Sequence, residues 1–573
     1  MGRGGRGLHR PLPPDHAHRR RGDPRDDPDR LDGVLGADGL RDHRRPRDGD
    51  RTDPDLPACP LRDLVPDPAA EAGRGARPVT GGMRVAIIGA GLSGIVMGLR
   101  LKRAGFHDFV LLEKAGRLGG TWRDNAYPGV ACDVPAHFYA LADAPNPDWT
   151  RRYPPGAEIL RYAETVAAET GLQPHLRFGQ EVVAADWTGR DWILTMSTGS
   201  TLRADAVVSA TGLLHHPRLP AIPSLERFAG PVIHTARWRD DVALSGRAVG
   251  IVGTGSSGAQ VIPHLAETAR RLTVFQRTPA WVLPLPDRRA PAWLRHALRR
   301  APLLLRLWHA LGSEVLARTY AASFVGESPL VRRLIARRCA QALRTVRDPG
   351  LRRTLTPDFP PGCKRLVFSA RYYPALQRPN VAVVAAPVRE VVPEGLVTAD
   401  GRLHPLDVLV LATGFDGQAY LRPLRLSGVG GATLDALWRE RPQAYRAVAL
   451  PKMPNFFLLL GPHSPTATVS AVKVAEWQAS FILRCLEVAR RERAALSPTW
   501  SALRREMARI DAALAGTVWA SGCDSWYLDA SGRPGLYPLP PVQYRSALAA
   551  GPDRRDFEFW DVAGSRTAEG AIA

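Results

Sequence analysis

The chain has 573 residues, which is too long for one hydrophobic core and predicts two or three domains. Hydrophobic residues make up 45% of it, as in globular proteins, and no apolar run is long enough to span a membrane. A formal net charge of +21 raises the question of nucleic-acid binding, but no nucleic-acid-binding motif accompanies it.

Residues 1–82 are rich in Arg, Asp, Pro and Gly and have no apolar periodicity, so we expect them to be disordered. Met83 opens directly into an apolar strand. We therefore interpret Met83 as the start of translation and the upstream segment as a mis-assigned extension. A genuine disordered tail is the alternative.

A glycine-rich turn follows the first apolar run, residues 85–88, and contains Gly89, Gly91 and Gly94 in the spacing GxGxxG. A strand, a tight glycine turn and a helix place backbone N–H groups close to a pyrophosphate. Glu113 lies 19 residues past Gly94, at the end of the next predicted strand. A carboxylate there accepts hydrogen bonds from a ribose diol, which predicts an unphosphorylated ribose, as in FAD.

A second turn of the same kind follows residues 249–252. It consists of Gly253, Thr254, Gly255, Ser256, Ser257 and Gly258. Arg277 lies 19 residues past Gly258, where a guanidinium can bind a 2′-phosphate. The second turn therefore predicts NADPH. Glu113 and Arg277 could instead be ordinary charged residues at strand ends. This is the weaker interpretation, because the same pattern occurs twice in the same context.

The order of strands and helices predicts an α/β fold with two Rossmann-like dinucleotide-binding domains and largely parallel, doubly wound sheets. We assign residues 83–225 to the first part of the FAD-binding domain and 226–395 to the NADP-binding domain. Residues 396–573 complete the FAD domain and cover the substrate pocket, with the return to the first domain at the buried run 405–415.

A helical insertion at about 287–353 interrupts the NADP-binding domain. Apolar residues recur there at helical spacing: Leu294, Leu298, Leu304, Leu305 and Trp308. The insertion holds 15 arginines against 4 acidic residues. We interpret it as a solvated helical face, with weak attraction for acidic partners, anionic lipid or cofactor phosphates as the alternative.

Six cysteines form neither a CxxC pair nor a metal-ligand spacing: Cys59, Cys132, Cys339, Cys363, Cys485 and Cys523. We expect no metal site and no disulfide scaffold, and this also argues against a flavin disulfide reductase. Because no signal-peptide pattern is present either, we expect a cytoplasmic protein.

One segment between the two nucleotide units carries a family resemblance. Phe228, Gly230, His234 and Trp238 match the pattern FxGxxxHxxxW, and the segment resembles the fingerprint of type I Baeyer–Villiger monooxygenases. Arg239 is a small departure, since that family often has Pro or Asp directly after the tryptophan. Four further segments are similar to the family: 119–135, 363–366, 412–415 and 525–527.

The resemblance implies an FAD- and NADPH-dependent enzyme that inserts one atom of O2 beside a ketone carbonyl through a C4a-peroxyflavin, giving an ester or lactone. Arg365 would stabilise the negative charge, Asp133 would orient Arg365, and His234 and Trp238 would couple domain motion to the state of NADP. Lys364 would help Arg277 and Thr278 hold the 2′-phosphate, and Trp526 would contact substrate. Further cofactor-binding residues implied by the resemblance are Thr121, Trp122, Asp133, Tyr139, Val182 and Gln260.

Other functions are compatible with two nucleotide-binding turns but fit this sequence less well. An N- or S-oxygenating flavin monooxygenase is disfavoured because relatives of that kind carry Tyr at the position of Trp238. An NADPH oxidase or reductase that makes only peroxide, or a non-enzymatic redox sensor, is weaker because both cofactor turns and Arg365 are present. The expected partners are a small-molecule ketone and O2, with no nucleic acid and no stable membrane insertion.

Overall fold

The computed structural model describes residues 82–523, 525–529 and 531–561. The expectations for residues 1–82 therefore lie outside the described residues, apart from Gly82. The strands are, in chain order, β1 (Val85–Ile88), β2 (Phe109–Glu113), β3 (Leu176–Phe178), β4 (Val182–Trp187), β5 (Trp192–Met196), β6 (Thr201–Ala204), β7 (Ala206–Ser209), β8 (Val232–His234), β9 (Ala248–Val252), β10 (Arg271–Phe275), β11 (Val282–Leu283), β12 (Val367–Phe368), β13 (Val381–Val384), β14 (Val388–Val392), β15 (Gly395–Thr398), β16 (Leu403–Pro405), β17 (Val408–Leu411), β18 (Arg425–Ser427), β19 (Phe456–Leu458), β20 (Ala494–Pro498) and β21 (Phe557–Asp561).

The helices alternate with these strands in the two nucleotide units and cluster between β11 and β12. They are α1 (Leu92–Arg103), α2 (Thr121–Asp124), α3 (Ala136–Tyr139), α4 (Gly156–Glu169), α5 (Ser256–Thr268), α6 (Ala292–Arg300), α7 (Pro302–Leu316), α8 (Ala322–Phe324), α9 (Pro329–Leu343), α10 (Pro349–Thr354), α11 (Tyr372–Leu376), α12 (Leu434–Leu437), α13 (Ala471–Glu492), α14 (Trp500–Leu514) and α15 (Pro541–Ala549). A π-helical turn (Ala317–Ala321) joins α7 to α8.

The first large sheet has the strand order β19-β7-β1-β2-β3, and every neighbouring pair is parallel. All four residues of β1 and of β7 are buried. Such unbroken apolar strands are typical of parallel sheets covered on both faces. The helices α1, α4 and α13 contribute to the hydrophobic core on this sheet.

The second large sheet has the order β13-β10-β9-β17-β8, again with parallel neighbours throughout. Its core includes side chains of α5 and α11. The prediction of two Rossmann-like units with parallel sheets is confirmed. Antiparallel pairs occur in smaller sheets, β18-β4-β5-β6, β14-β15-β16 and β20-β21.

The predicted return to the first domain at residues 405–415 is wrong. That run forms β17, which lies between β9 and β8 in the second sheet. The chain rejoins the first unit later, when β18 pairs with β4 and β19 pairs with β7. The boundary expected near residue 396 therefore lies inside the second unit. The prediction failed because a fully buried strand fits either parallel sheet equally well.

The helical insertion is present and consists of α6 to α10. Of the apolar residues that predicted it, Leu298 and Leu305 are buried, whereas Leu304 and Trp308 are exposed. None of the helices in the described residues is both long and apolar enough to cross a lipid bilayer.

Candidate active site

Both glycine-rich turns open into one cavity of about 1400 Å³. They lie where β1 and β9 end, at the carboxyl edges of the two parallel sheets. Ligands of doubly wound folds bind at this edge, because the following helices begin there and direct their N–H groups towards it.

The first turn requires glycine at its ends for steric reasons. Gly89 has φ +106°, and a Cβ there would lie 2.7 Å from the carbonyl oxygen of Ala210. At Gly94 a Cβ would lie 2.0 Å from the carbonyl oxygen of Gly89. Gly91 is the N-cap of α1 and has no side-chain capping bond, so the first N–H groups of that helix are left for a ligand.

The second turn repeats this geometry. Gly253 has φ +105°, and a Cβ there would lie 2.4 Å from the carbonyl oxygen of Ala412. The corresponding distance at Gly258, to the carbonyl oxygen of Gly253, is 2.3 Å. At Gly255, the N-cap of α5, no heavy atom lies within 4 Å of a Cβ position, so this glycine borders open space. Thr254, Ser256 and Ser257 line the same part of the cavity.

The residue that follows each turn at the next strand end also reaches the cavity. Glu113 is buried, and its carboxylate accepts hydrogen bonds from the Ala90 N–H at 3.0 Å and from Arg123 Nη1 at 2.9 Å. The guanidinium of Arg123 therefore balances a buried carboxylate at the first turn. Arg277, Thr278 and Lys364 line the cavity beyond β10.

The loop segment between β2 and β3 forms another wall. Thr121, Trp122, Asp133 and Tyr139 line the cavity, as does Val182 at the start of β4. Trp122 Nε1 donates to the hydroxyl of Tyr139 at 3.1 Å, and burial raises the pKa of that hydroxyl. The two side chains therefore hold the wall in one arrangement.

Gln260 joins the two nucleotide units. Its Nε2 donates to the carbonyl oxygen of Ala131 at 2.9 Å, and its Oε1 accepts from the Tyr127 hydroxyl at 2.8 Å. Tyr127 also contacts Ser257 Oγ at 3.2 Å. The loop of the first unit is thus tied to α5 of the second, directly beside the second turn.

Arg365 and Asp133 form an ion pair within the cavity. Arg365 Nη2 donates to Asp133 Oδ2 at 2.6 Å, and the two side chains are 34% and 19% exposed. The charge of Asp133 raises the pKa of Arg365 above its already high value. A permanently charged guanidinium therefore faces the cavity with one nitrogen fixed by Asp133.

Two tyrosines near Arg365 were not predicted from the sequence. Tyr527 interacts with the Arg365 guanidinium, and burial raises the pKa of Tyr527 to about 12. Tyr320, in the π-helical turn, is electrostatically coupled to the same guanidinium. Tyr527 follows Trp526 in a segment already singled out, but no sequence signal points to Tyr320.

A family model described as pyridine nucleotide-disulphide oxidoreductase matches residues 86–299. This stretch contains both glycine-rich turns. A Baeyer–Villiger monooxygenase of Streptomyces coelicolor is 43% identical over 462 residues, which cover 79% of this chain and 88% of that protein. This chain belongs to the Baeyer–Villiger monooxygenase family.

Two solved structures have a fold similar to that of this chain. The complex of OTEMO with FAD and NADP has a TM-score of 0.75 and 28% identity, and the match covers 83% of this chain and 99% of that one. Cyclohexanone monooxygenase from Rhodococcus sp. Phi1 bound to NADP+ has a TM-score of 0.74 and 29% identity, covering 84% and 99%.

All four residues of the Baeyer–Villiger fingerprint lie outside the cavity lining: Phe228, Gly230, His234 and Trp238. His234 is buried at the end of β8, where burial lowers its pKa to about 4. Its Nε2 lies 3.3 Å from the hydroxyl of Thr413, which does line the cavity. Trp238 packs against the core of the second unit. His234 therefore adjoins the cavity through Thr413, and Trp238 does not reach it.

Among the described residues, the structure contains a disulfide bond that the cysteine spacing does not predict. Cys363 and Cys523 are bonded, 160 residues apart in sequence. Cys363 precedes Lys364 and Arg365, and Cys523 lies three residues before Trp526, which also lines the cavity. The expectation from cysteine spacing is thus wrong for this pair, and two cavity-lining segments of this Baeyer–Villiger family member are covalently joined.

Proposed function

We propose that this chain is an FAD- and NADPH-dependent Baeyer–Villiger monooxygenase that converts a ketone to an ester or lactone. The overall reaction takes ketone, NADPH, a proton and O2 to ester, NADP+ and water. The observation that carries the proposal is that Arg365, paired with Asp133, lines the same cavity as both glycine-rich turns.

The first turn fits FAD. Gly91 leaves the N-terminal N–H groups of α1 uncapped, and a Cβ at Gly91 would stand in the narrow space 3.7 Å from Gly120 Cα. These N–H groups would hold the pyrophosphate, and Glu113 would accept hydrogen bonds from the ribose.

The second turn fits NADPH. The open space beside Gly255 admits a pyrophosphate close to the backbone of α5. Arg277, Thr278 and Lys364 supply two positive charges and a hydroxyl for a 2′-phosphate.

FAD reduced by NADPH supplies the activation of O2. Arg365 would then stabilise the oxyanion that develops on the ketone oxygen as the carbonyl carbon is attacked. Because arginine is a strong base and the charge of Asp133 raises its pKa further, Arg365 keeps its positive charge at neutral pH. Asp133 holds Nη2 of the guanidinium and Tyr527 interacts with it as well, so the two residues would orient the remaining N–H groups towards the reacting atoms.

Exclusion of water is the second requirement, since water promotes loss of oxygen as hydrogen peroxide. Trp526 lines the cavity while remaining 40% exposed, and its ring contacts Tyr527 with centroids 4.5 Å apart. The segment that carries both rings would close the cavity over the substrate.

The test is NADPH-dependent O2 uptake by the flavin-loaded protein with linear, cyclic and aromatic ketones, sulfides and amines, with products identified by mass. Ketone-dependent formation of an ester or lactone supports the proposal. Oxygenation of sulfides or amines without any ester, or peroxide as the sole product with every compound, overturns it.

A variant pair tests the role of Arg365. Arg365→Ala is expected to lose ester formation by about 100-fold or more while NADPH still reduces the flavin. Arg371→Ala removes an exposed arginine that pairs with Glu267 outside the cavity lining, and it should match the parent. Equal ester formation by Arg365→Ala and the parent would exclude this role.

A further inference from the structure

The helical insertion exposes a group of large apolar side chains to solvent. On α7, Leu303, Leu307 and Leu311 are 71%, 56% and 65% exposed. The exposed apolar residues of α6 and α7 are Trp293, Leu303, Leu304, Leu307, Trp308, Leu311 and Val315. We name this set the α6–α7 face. A helix of a globular protein normally turns such a face inward.

Helical geometry shows that this face is continuous and distinct from the packed side of α7. At about 100° per residue, the exposed apolar side chains of α7 span an arc of about 140°. Leu305 and His309 occupy the opposite side and are buried. There His309 Nδ1 bonds the carbonyl oxygen of His137 at 2.7 Å. Trp308, at one edge of the arc, also contacts the His137 ring, with centroids 4.4 Å apart. The inward side and this edge therefore attach α7, whereas Leu303, Leu307 and Leu311 remain more than half exposed.

Positive charge surrounds the α6–α7 face. Residues 288–318 contain seven arginines and one acidic residue, Glu314. Glu314 is itself paired with Arg318 and Arg545, at 2.9 and 2.6 Å. Arg300 ends α6 and Arg306 lies beside the apolar arc, and both are exposed. An arginine-rich composition explains the charge but not the exposed leucines and tryptophans.

We propose that the α6–α7 face docks on the surface of anionic lipid bilayers. A helix whose apolar side is flanked by arginines lies in the interface plane, with the leucines among acyl chains and the guanidinium groups at the headgroups. Trp293 and Trp308 fit the same boundary, since tryptophan is enriched there.

Charge distinguishes this occupant from a second copy of the chain. In a symmetric dimer through the α6–α7 face, each copy would place its arginines against those of the other. An anionic lipid surface supplies the opposite charge together with an apolar layer. The charge of the face therefore favours lipid.

Docking would also bring the cavity near the bilayer. The packed side of α7 rests on α3: a Cβ at Gly312 would lie 2.2 Å from the ring of Phe138. Tyr139, the next residue of α3, lines the cavity. The docking face is thus separated from the cavity wall by one helix.

The test is flotation of the full chain with vesicles of phosphatidylcholine mixed with phosphatidylglycerol, against phosphatidylcholine alone. We expect binding to the mixed vesicles at low salt and loss of binding at high salt. The double variant Leu307→Gln/Leu311→Gln should bind roughly tenfold more weakly. Leu403→Gln, at a leucine 42% exposed in the β15–β16 hairpin, is the matched control and should bind as the parent does.

Three outcomes overturn the proposal. The first is absence of binding to the mixed vesicles, and the second is binding that the double variant leaves unchanged. The third is a dimer in light scattering that the double variant converts to a monomer without any effect on vesicles, which would identify a second copy as the occupant. A thermal unfolding midpoint equal to that of the parent shows that the variants are folded.

Discussion

Replacing Asp133 by Asn separates the charge of the Arg365–Asp133 pair from its shape. Asn keeps an oxygen that can accept the Arg365 hydrogen bond but carries no charge. Two unit charges about 4 Å apart attract by about 4 kcal/mol at an effective dielectric constant of 20. Because the side chains are 34% and 19% exposed, screening reduces this to about 2 kcal/mol. If that energy orients Arg365 in the transition state, ester formation falls roughly 30-fold.

The assay measures ester and hydrogen peroxide formed per NADPH consumed. Asp133→Asn should shift the yield from ester to peroxide, while the rate of flavin reduction and the KM for NADPH stay unchanged. Asp241→Asn is the control, since it removes a carboxylate paired with Arg239 at the same 2.6 Å distance on the exposed surface. The reasoning is refuted if Asp133→Asn makes ester within about twofold of the parent, or if Asp241→Asn is equally impaired.

Three further predictions follow from packing, charge and covalent structure. Gly255→Ala should weaken NADPH binding and leave the thermal unfolding midpoint unchanged. Gly258→Ala places a Cβ 2.3 Å from a backbone oxygen and should lower the free energy of unfolding by about 1–3 kcal/mol. Equal unfolding midpoints for the two variants would contradict this. Burial lowers the pKa of His234 to about 4, below its unfolded value of about 6.5, so the unfolded state binds more protons and stability falls as pH drops between these values. Urea titrations at pH 7 and at about pH 4.5 measure the free energy of unfolding. Between these two pH values, His234→Asn should lose about 2–3 kcal/mol less of that free energy than the parent. An identical loss would contradict the lowered pKa of His234. Cys523→Ser should lower the free energy of unfolding by up to about 5 kcal/mol for a cross-link between residues 160 apart, and the parent should match it in reductant. Free thiols at Cys363 and Cys523 themselves, found by alkylation of the denatured but unreduced parent, would refute the bond.

The glycine-rich turns could be predicted because their requirements are local. The positive φ of Gly89 and Gly253 and the close approach at Gly94 follow from a strand, a turn and a helix within one short segment. Their approach to the same cavity follows from the general rule for the carboxyl edges of parallel sheets. Arg365 and Asp133 were paired from a family resemblance, and the structure places them 2.6 Å apart.

The features that sequence did not predict depend on contacts between distant segments. The burial pattern of β17 is the same in either parallel sheet, so its place between β9 and β8 could not be read from residues 408–411. Cys363 and Cys523 approach through tertiary packing alone. Tyr320 approaches Arg365 because the insertion packs against the segment that follows Arg365, where the ring centroids of Tyr320 and Phe368 are 6.3 Å apart, and no spacing in the sequence predicts that contact.

The interleaving of the two sheets sets the order in which they can be completed during synthesis. Every strand of the second sheet has been made once Leu411 is translated, whereas β7 waits for β19, its neighbour through the pairing of Val207 with Phe456. At about 5–20 residues per second, the chain between Val207 and Phe456 takes roughly 12–50 s to emerge from the ribosome. Throughout that interval one edge of a buried, apolar strand lacks its partner. The nucleotide site encoded first is therefore the last to be enclosed, and the nascent chain exposes an aggregation-prone edge to chaperones until then.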